Sequence, residues 1–249
     1  MNIHLLENAD NLSKEYADWL VDYVGKTLEK QDRFTIALSG GSTPRKLHEL
    51  LATDAYKDKI DWSKLHVFWG DERFVPFEDE RNNAKMAYDT LLNHVPVPAS
   101  QIHVMPTNLS PEDASAEYEK LLNAYFVPAD DPGGTDFHFS FDLVILGMGD
   151  DGHTLSLFPG LPVVHESSKW VTSFWLEAQD MYRITLTYPI VNKARSVTFL
   201  ATGEKKAVVL KEVLEGIKNV DLYPSQIIQP EQGELHWFVD RAAASKLSR

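Results

Sequence analysis

Four short polar segments carry the side chains able to do chemistry, and each follows an apolar run: SGGSTPR (39–45), GDER (70–73), GMGDDGHT (147–154) and TGEKKA (202–207). The third is the richest. His153 follows an Asp-Gly turn. An imidazole titrates near neutrality, so it can take a proton from water attacking an ester. Asp151 or Asp150 can orient the ring and stabilise the imidazolium that forms. A histidine that merely caps a turn is the plainer alternative, but the charged neighbours and the preceding apolar run favour a functional one.

GMGDDG also fits the spacing G-x-G-x-x-G of dinucleotide sites. Two features count against that reading. Asp150 and Asp151 would face a pyrophosphate with like charge, and Pro159 and Pro162 interrupt the helix such a unit needs. In SGGSTPR, a glycine turn before a helix start presents free backbone N–H groups at the positive end of the helix dipole. Gly40 and Gly41 allow close approach of an anion, and Ser42 and Thr43 can donate hydroxyls or cap the helix. No P-loop spacing is present. Asp71 is a candidate polar positioning group and Arg73 a bidentate grip for an oxyanion; an internal acid–arginine pair is the competing reading. Lys206 stands near a helix start, where a lysine opposes the dipole unless an anion is bound. Arg183 opens an apolar run and can reach either a ligand or a neighbouring carboxylate.

No metal or cofactor is expected. The remaining histidines (His4, His48, His66, His94, His103, His138, His165 and His236) have no metal-ligand spacing, and there is no cysteine. The net charge of −13 argues against nucleic acid and against an anionic membrane surface. An anionic small molecule would need a locally basic site. No apolar stretch is long enough to span a bilayer, MNIHLLENAD lacks the pattern of a secretion signal, and SKL at 245–247 is followed by two more residues. A cytoplasmic protein, monomeric or weakly self-associating, is the expectation.

The elements that must hold these segments are legible from periodicity. Leu12, Tyr16, Trp19, Leu20, Tyr23, Val24 and Leu28 predict a helix over 10–30. Apolar runs predict strands at 34–38, 65–70, 102–105, 141–147, 183–188, 196–203 and 235–240. Helices are expected at 42–51, near 82–92, after Ser110-Pro111 and at 204–216. Residues 128–136 form a marked loop, either a lid or a surface excursion. Alternating strands and helices imply an α/β fold, three-layer α/β/α with a mainly parallel sheet, in a single domain over 1–249. Ligands in such folds bind beyond the carboxyl ends of the strands, where all four polar segments are expected.

The segments LSGGSTPRKLHELL, FWGDERFVPFEDERNNAKMAYDTLL, FDLVILGMGDDGHTLSLFPG, RITLTYPIVNKAR and FLATGEKKA cover the chain from residue 38 to 207. Together they resemble the family that joins 6-phosphogluconolactonases with glucosamine-6-phosphate deaminases. The resemblance implies the fold of the deaminase and ribose-5-phosphate isomerase group. It also implies hydrolysis of 6-phospho-glucono-1,5-lactone without metal or organic cofactor. Under it His153 becomes the base, with Asp151 and Asp71 beside it in the catalytic set. Gly40, Gly41, Ser42, Arg73, Arg183 and Lys206 become substrate and phosphate contacts. The deaminase branch carries a glutamate five residues after this histidine; here the residue is Phe158. Deaminase-like isomerisation and non-catalytic sugar-phosphate sensing are the alternatives. Asp150 stands where the lactonase pattern often has proline, and the sequence assigns it no role.

Overall fold

FTIAL, LVILG and SVTFLA are apolar along their whole length, so both of their faces must be covered. The computed structural model, which describes residues 1–131 and 137–248, places them at the centre of a parallel sheet. In chain order the elements are β1 (Asn2–Leu6), α1 (Ala9–Leu28), β2 (Phe34–Leu38), α2 (Ser42–Leu51), β3 (Leu65–Trp69), β4 (Asp71–Arg73), α3 (Asn83–Ala87), α4 (Pro111–Phe126), β5 (Leu143–Gly147), β6 (Val171–Leu176), β7 (Met181–Leu186), α5 (Tyr188–Asn192), β8 (Ser196–Ala201), α6 (Ala207–Glu215) and β9 (Glu234–Asp240). Six strands pair in the order β1-β9-β8-β5-β2-β3, all parallel.

Alternation along each strand sorts the core into two layers. Ile36, Leu38, Val67 and Ile145 meet Leu20 and Val24 of α1 and Leu47 and Leu51 of α2. Phe68, one residue on, faces the other way, against Tyr125 and Phe126 of α4. Likewise Thr198 bonds Tyr16 of α1, while its neighbour Phe199 stacks on Trp237, close to Val213 and Leu214 of α6. The expected three-layer α/β/α arrangement is therefore present.

Several elements differ from expectation. RITLTY does not join the parallel sheet. It forms β7 in a separate antiparallel sheet of order β4-β7-β6, and GDER supplies β4 instead of a loop. Gly70 is the junction: its N–H donates to Leu38 O in the large sheet and its C=O accepts from Leu186 N in the small one. A short apolar run reads alike in either sheet, because periodicity carries no information about the partner. Residues 102–105 make only a single bridge, Ile102 to Val67. Val104 is exposed and Pro106 lacks the N–H a continuing ladder needs. The helix expected near 82–92 becomes α3 followed by a π-helical turn, Tyr88–Leu92. Strands β1 and β6 have no counterpart among the expected strands. Both lie at sheet edges with only partial burial, which weakens the apolar signal. Of the loop 128–136, residues 132–136 lie outside the described residues.

Candidate active site

The loop after β5 is folded tightly enough to set His153 at a fixed place. Gly149 N–H donates to His153 O at 2.8 Å and Thr154 Oγ1 to Gly147 O at 2.8 Å. Ser225 donates both its N–H and its hydroxyl to Gly152 O. Gly152 has φ +83°, and Leu155 has φ +54°, a costly value for a side-chain-bearing residue. A Cβ on Gly149 would overlap the His153 ring and the Asp151 carboxylate, so only glycine lets them lie over the turn.

Asp151 Oδ1 lies 2.5 Å from His153 Nδ1 and also accepts the His153 backbone N–H at 3.1 Å. With Nδ1 engaged by a carboxylate, Nε2 is the nitrogen left for proton transfer. Partial burial pushes the Asp151 carboxyl upward, but the hydrogen bond and charge of His153 outweigh it, and the net displacement is downward. Asp151 therefore stays ionised at neutral pH. The ring of Phe158 packs on that of His153, centroids 4.4 Å apart.

Behind Phe158 lies a buried polar group. Arg183 has its guanidinium 5.7 Å from the Phe158 ring centroid, donates to Asp71 Oδ2 at 2.6 Å and to Gln179 Oε1 at 3.0 Å, and is 4% exposed. Ser156 Oγ donates to the same Asp71 oxygen at 2.6 Å. Burial pushes the Asp71 carboxyl up; Arg183, Arg73 and Ser156 outweigh it and hold it below its ordinary value. Asp71 and Arg183 thus make the internal acid–arginine pair that was the competing reading for Asp71. The pair braces β4 against β7 beneath the histidine loop.

Arg73 stands nearer the surface. Its Nη1 donates to Arg81 O and to Asn83 Oδ1, both at 2.9 Å, while Asn83 Nδ2 donates to Asp71 O. Glu72 is buried and accepts the N–H groups of Arg73, Asn83 and Ala84. Burial raises it to about 7 although these donors pull it down. A Cβ on Gly40 would collide with the Asn83 side chain, so the glycine turn is pressed against the group that holds Arg73.

Gly41, with φ +106°, is the N-cap of α2, and no side chain caps the helix. Neither Ser42 nor Thr43 caps it, contrary to expectation, because Ser42 is already the first helical residue. The first N–H groups of α2 are thus left for an external acceptor. Thr43 is spent elsewhere: its hydroxyl pairs with that of Thr202 at 3.1 Å, which ties the start of α2 to the loop of Lys206. Lys206 Nζ in turn lies 2.7 Å from Asp150 Oδ1.

A continuous chain of contacts therefore joins the four polar segments at the carboxyl ends of β2, β3, β5 and β8. Sequence reasoning missed Asn83, Ser156, Glu72 and Thr202, which act by holding the others. Glu72, Ser156 and Thr202 lie inside or beside the motifs; for Asn83 no spacing signal exists. Two open grooves of about 580 and 590 Å³ lie elsewhere. They are lined by residues at the amino ends of strands, such as Asn2 and Glu234, or Thr35 and Asp142, the end where α/β sheets seldom bind ligands. Among the described residues no cluster of acidic, histidine or cysteine side chains suits a metal ion, and no helix is long and apolar enough to cross a membrane.

Residues 7–237 match the family described as glucosamine-6-phosphate isomerases/6-phosphogluconolactonase. A 6-phosphogluconolactonase of Nostoc sp. is 40% identical over 99% of this chain and 98% of its own length. A solved 6-phosphogluconolactonase of Trypanosoma brucei superposes with a TM-score of 0.85 at 26% identity, covering 99% and 98% of the two chains. A monomeric glucosamine-6-phosphate deaminase at 19% identity shares the fold, with a TM-score of 0.81 and coverage of 99% and 100%. On the match over most of its length, this chain belongs to the glucosamine-6-phosphate isomerase/6-phosphogluconolactonase family.

Proposed function

We propose that the protein hydrolyses 6-phospho-D-glucono-1,5-lactone to 6-phospho-D-gluconate, with His153 as general base. The observation that carries this reading is the His153–Asp151 pair, fixed over a glycine turn at the carboxyl end of β5. The uncapped start of α2 and Lys206 bind the phosphate, with Gly40, Gly41 and Ser42 giving close backbone and hydroxyl contacts. Binding the phosphate places the lactone carbonyl by His153, so orientation supplies much of the rate.

His153 Nε2 then takes a proton from water as the oxygen attacks the carbonyl carbon. Asp151 stabilises the imidazolium, and Arg73 or glycine-turn N–H groups stabilise the oxyanion. Collapse breaks the bond to the ring oxygen, which receives the proton from His153. Asp71 and Arg183 support the site as a buried pair beneath it. Phe158 supports hydrolysis over aminosugar isomerisation, because it packs an uncharged ring on His153 where the deaminase branch has a carboxylate.

A lactonase assay on freshly generated lactone, corrected for spontaneous hydrolysis, tests the reading. The wild type accelerates hydrolysis, and His153→Ala lowers kcat by roughly two to four orders of magnitude. Near wild-type turnover in that variant rejects His153 as the base. Ammonia release from glucosamine 6-phosphate favours the deaminase reading, and binding of 6-phosphogluconate with no lactone hydrolysis favours a sensor.

A further inference from the structure

Asp150 and Asp151 are consecutive carboxylates, yet they serve different cations. Asp151 turns to the imidazole of His153 at 2.5 Å, and Asp150 to the ammonium of Lys206 at 2.7 Å. The Lys206 side chain is only 23% exposed, whereas that of Asp150 is 57% exposed. The lysine is therefore the held partner and the carboxylate the one open to solvent. Lys206 follows Gly203, and its loop is joined to the start of α2 through Thr202 and Thr43. An anion seated on the α2 amino end would meet this ammonium already neutralised by a carboxylate.

We propose that Asp150 is a competitor built into the phosphate site: it occupies Lys206 in the free enzyme and weakens the hold on bound anions, the product most of all. This rests on the reading of Lys206 as the phosphate lysine. The chemistry makes the device useful. Hydrolysis adds water across the ester, breaks the bond between the carbonyl carbon and the ring oxygen, and leaves a carboxylic acid that ionises at neutral pH. The product carries one more negative charge than the substrate, in a loop that already holds Asp150 and Asp151. An exposed ion pair of this kind shifts an equilibrium about two- to fivefold. Like-charge repulsion from Asp150 adds to that factor for the more anionic product.

Asp150→Asn keeps the shape and removes the charge. In competition assays with the lactone as substrate, it is expected to lower the inhibition constant of inorganic phosphate about threefold. For 6-phosphogluconate the expected fall is about five- to tenfold. The gain shrinks at high ionic strength, as exposed charges are screened. In a Lys206→Met background the same substitution changes phosphate inhibition less than twofold, because there is nothing left to compete for. A phosphate inhibition constant that is unchanged or raised in Asp150→Asn, while Lys206→Met alone weakens phosphate inhibition, overturns the competition and leaves the phosphate lysine standing. The full gain persisting in the Lys206→Met background overturns it too. If Lys206→Met alone leaves phosphate inhibition unaltered, the phosphate reading of Lys206 fails and this proposal with it.

Discussion

Replacing Asp151 by Asn isolates one electrostatic contribution. The amide keeps the size of the side chain and one oxygen able to accept from His153 Nδ1–H and from the His153 backbone N–H, as Asp151 Oδ1 does now. What is lost is a negative charge in contact with a ring that becomes cationic in the proposed mechanism. Two unit charges at about 4 Å attract by about 1 kcal/mol in bulk water and about 4 kcal/mol at an effective dielectric of 20. The side chains of His153 and Asp151 are 30% and 51% exposed, so the value belongs near the lower limit, about 1–2 kcal/mol. At 1.36 kcal/mol per factor of ten, kcat falls about five- to thirtyfold. KM changes little, because the proposed phosphate contacts do not include Asp151. Initial rates on fresh lactone give both constants. In a His153→Ala background, Asp151→Asn changes kcat less than twofold, since a charge acting only through the imidazole has nothing left to act on. Unchanged kcat in the single variant refutes the reasoning, and so does an undiminished effect without His153.

Gly149→Ala places a methyl where the His153 ring and Asp151 carboxylate now lie. Turnover falls at least tenfold while the urea midpoint moves little, because the loop yields at its exposed surface; near wild-type activity contradicts the close packing. Arg183→Met strands the buried Asp71 carboxylate. Unfolding in urea reports a loss of about 3–5 kcal/mol, the usual effect of breaking a buried ion pair from one side. Glu72 gives a pH signature. Its carboxyl is raised by burial to about 7 in the folded state, so its contribution is fully present below its unfolded value near 4.5 and is lost as pH rises to about 7. The span is about 3 kcal/mol. Stability measured against pH shows Glu72→Gln gaining on the wild type across that window; a constant difference removes Glu72 as the cause.

The sequence by itself determined the parallel core and the pairing of His153 with its near neighbour Asp151. Strands apolar on both faces, such as FTIAL and LVILG, have no stable place except inside a covered sheet. Their carboxyl ends bring SGGSTPR, GMGDDGHT and TGEKKA to one side of it. His153 and Asp151 are two residues apart in one turn, so their partnership is a local matter that spacing can express.

Tertiary structure alone decided the partners that are distant in the chain. Asp71 and Arg183 are separated by 112 residues and meet because β4 and β7 pair in a second sheet. Asn83 reaches Arg73 only because Gly40 has no side chain to exclude it. Asp150 and Asp151 are the same residue type side by side, and nothing local gives Asp150 its partner. The fold does so by carrying Lys206 to one and leaving the other to His153. Charge pairing between loops depends on where the strands set those loops down, and strand order is a property of the whole sheet that a run of residues cannot encode.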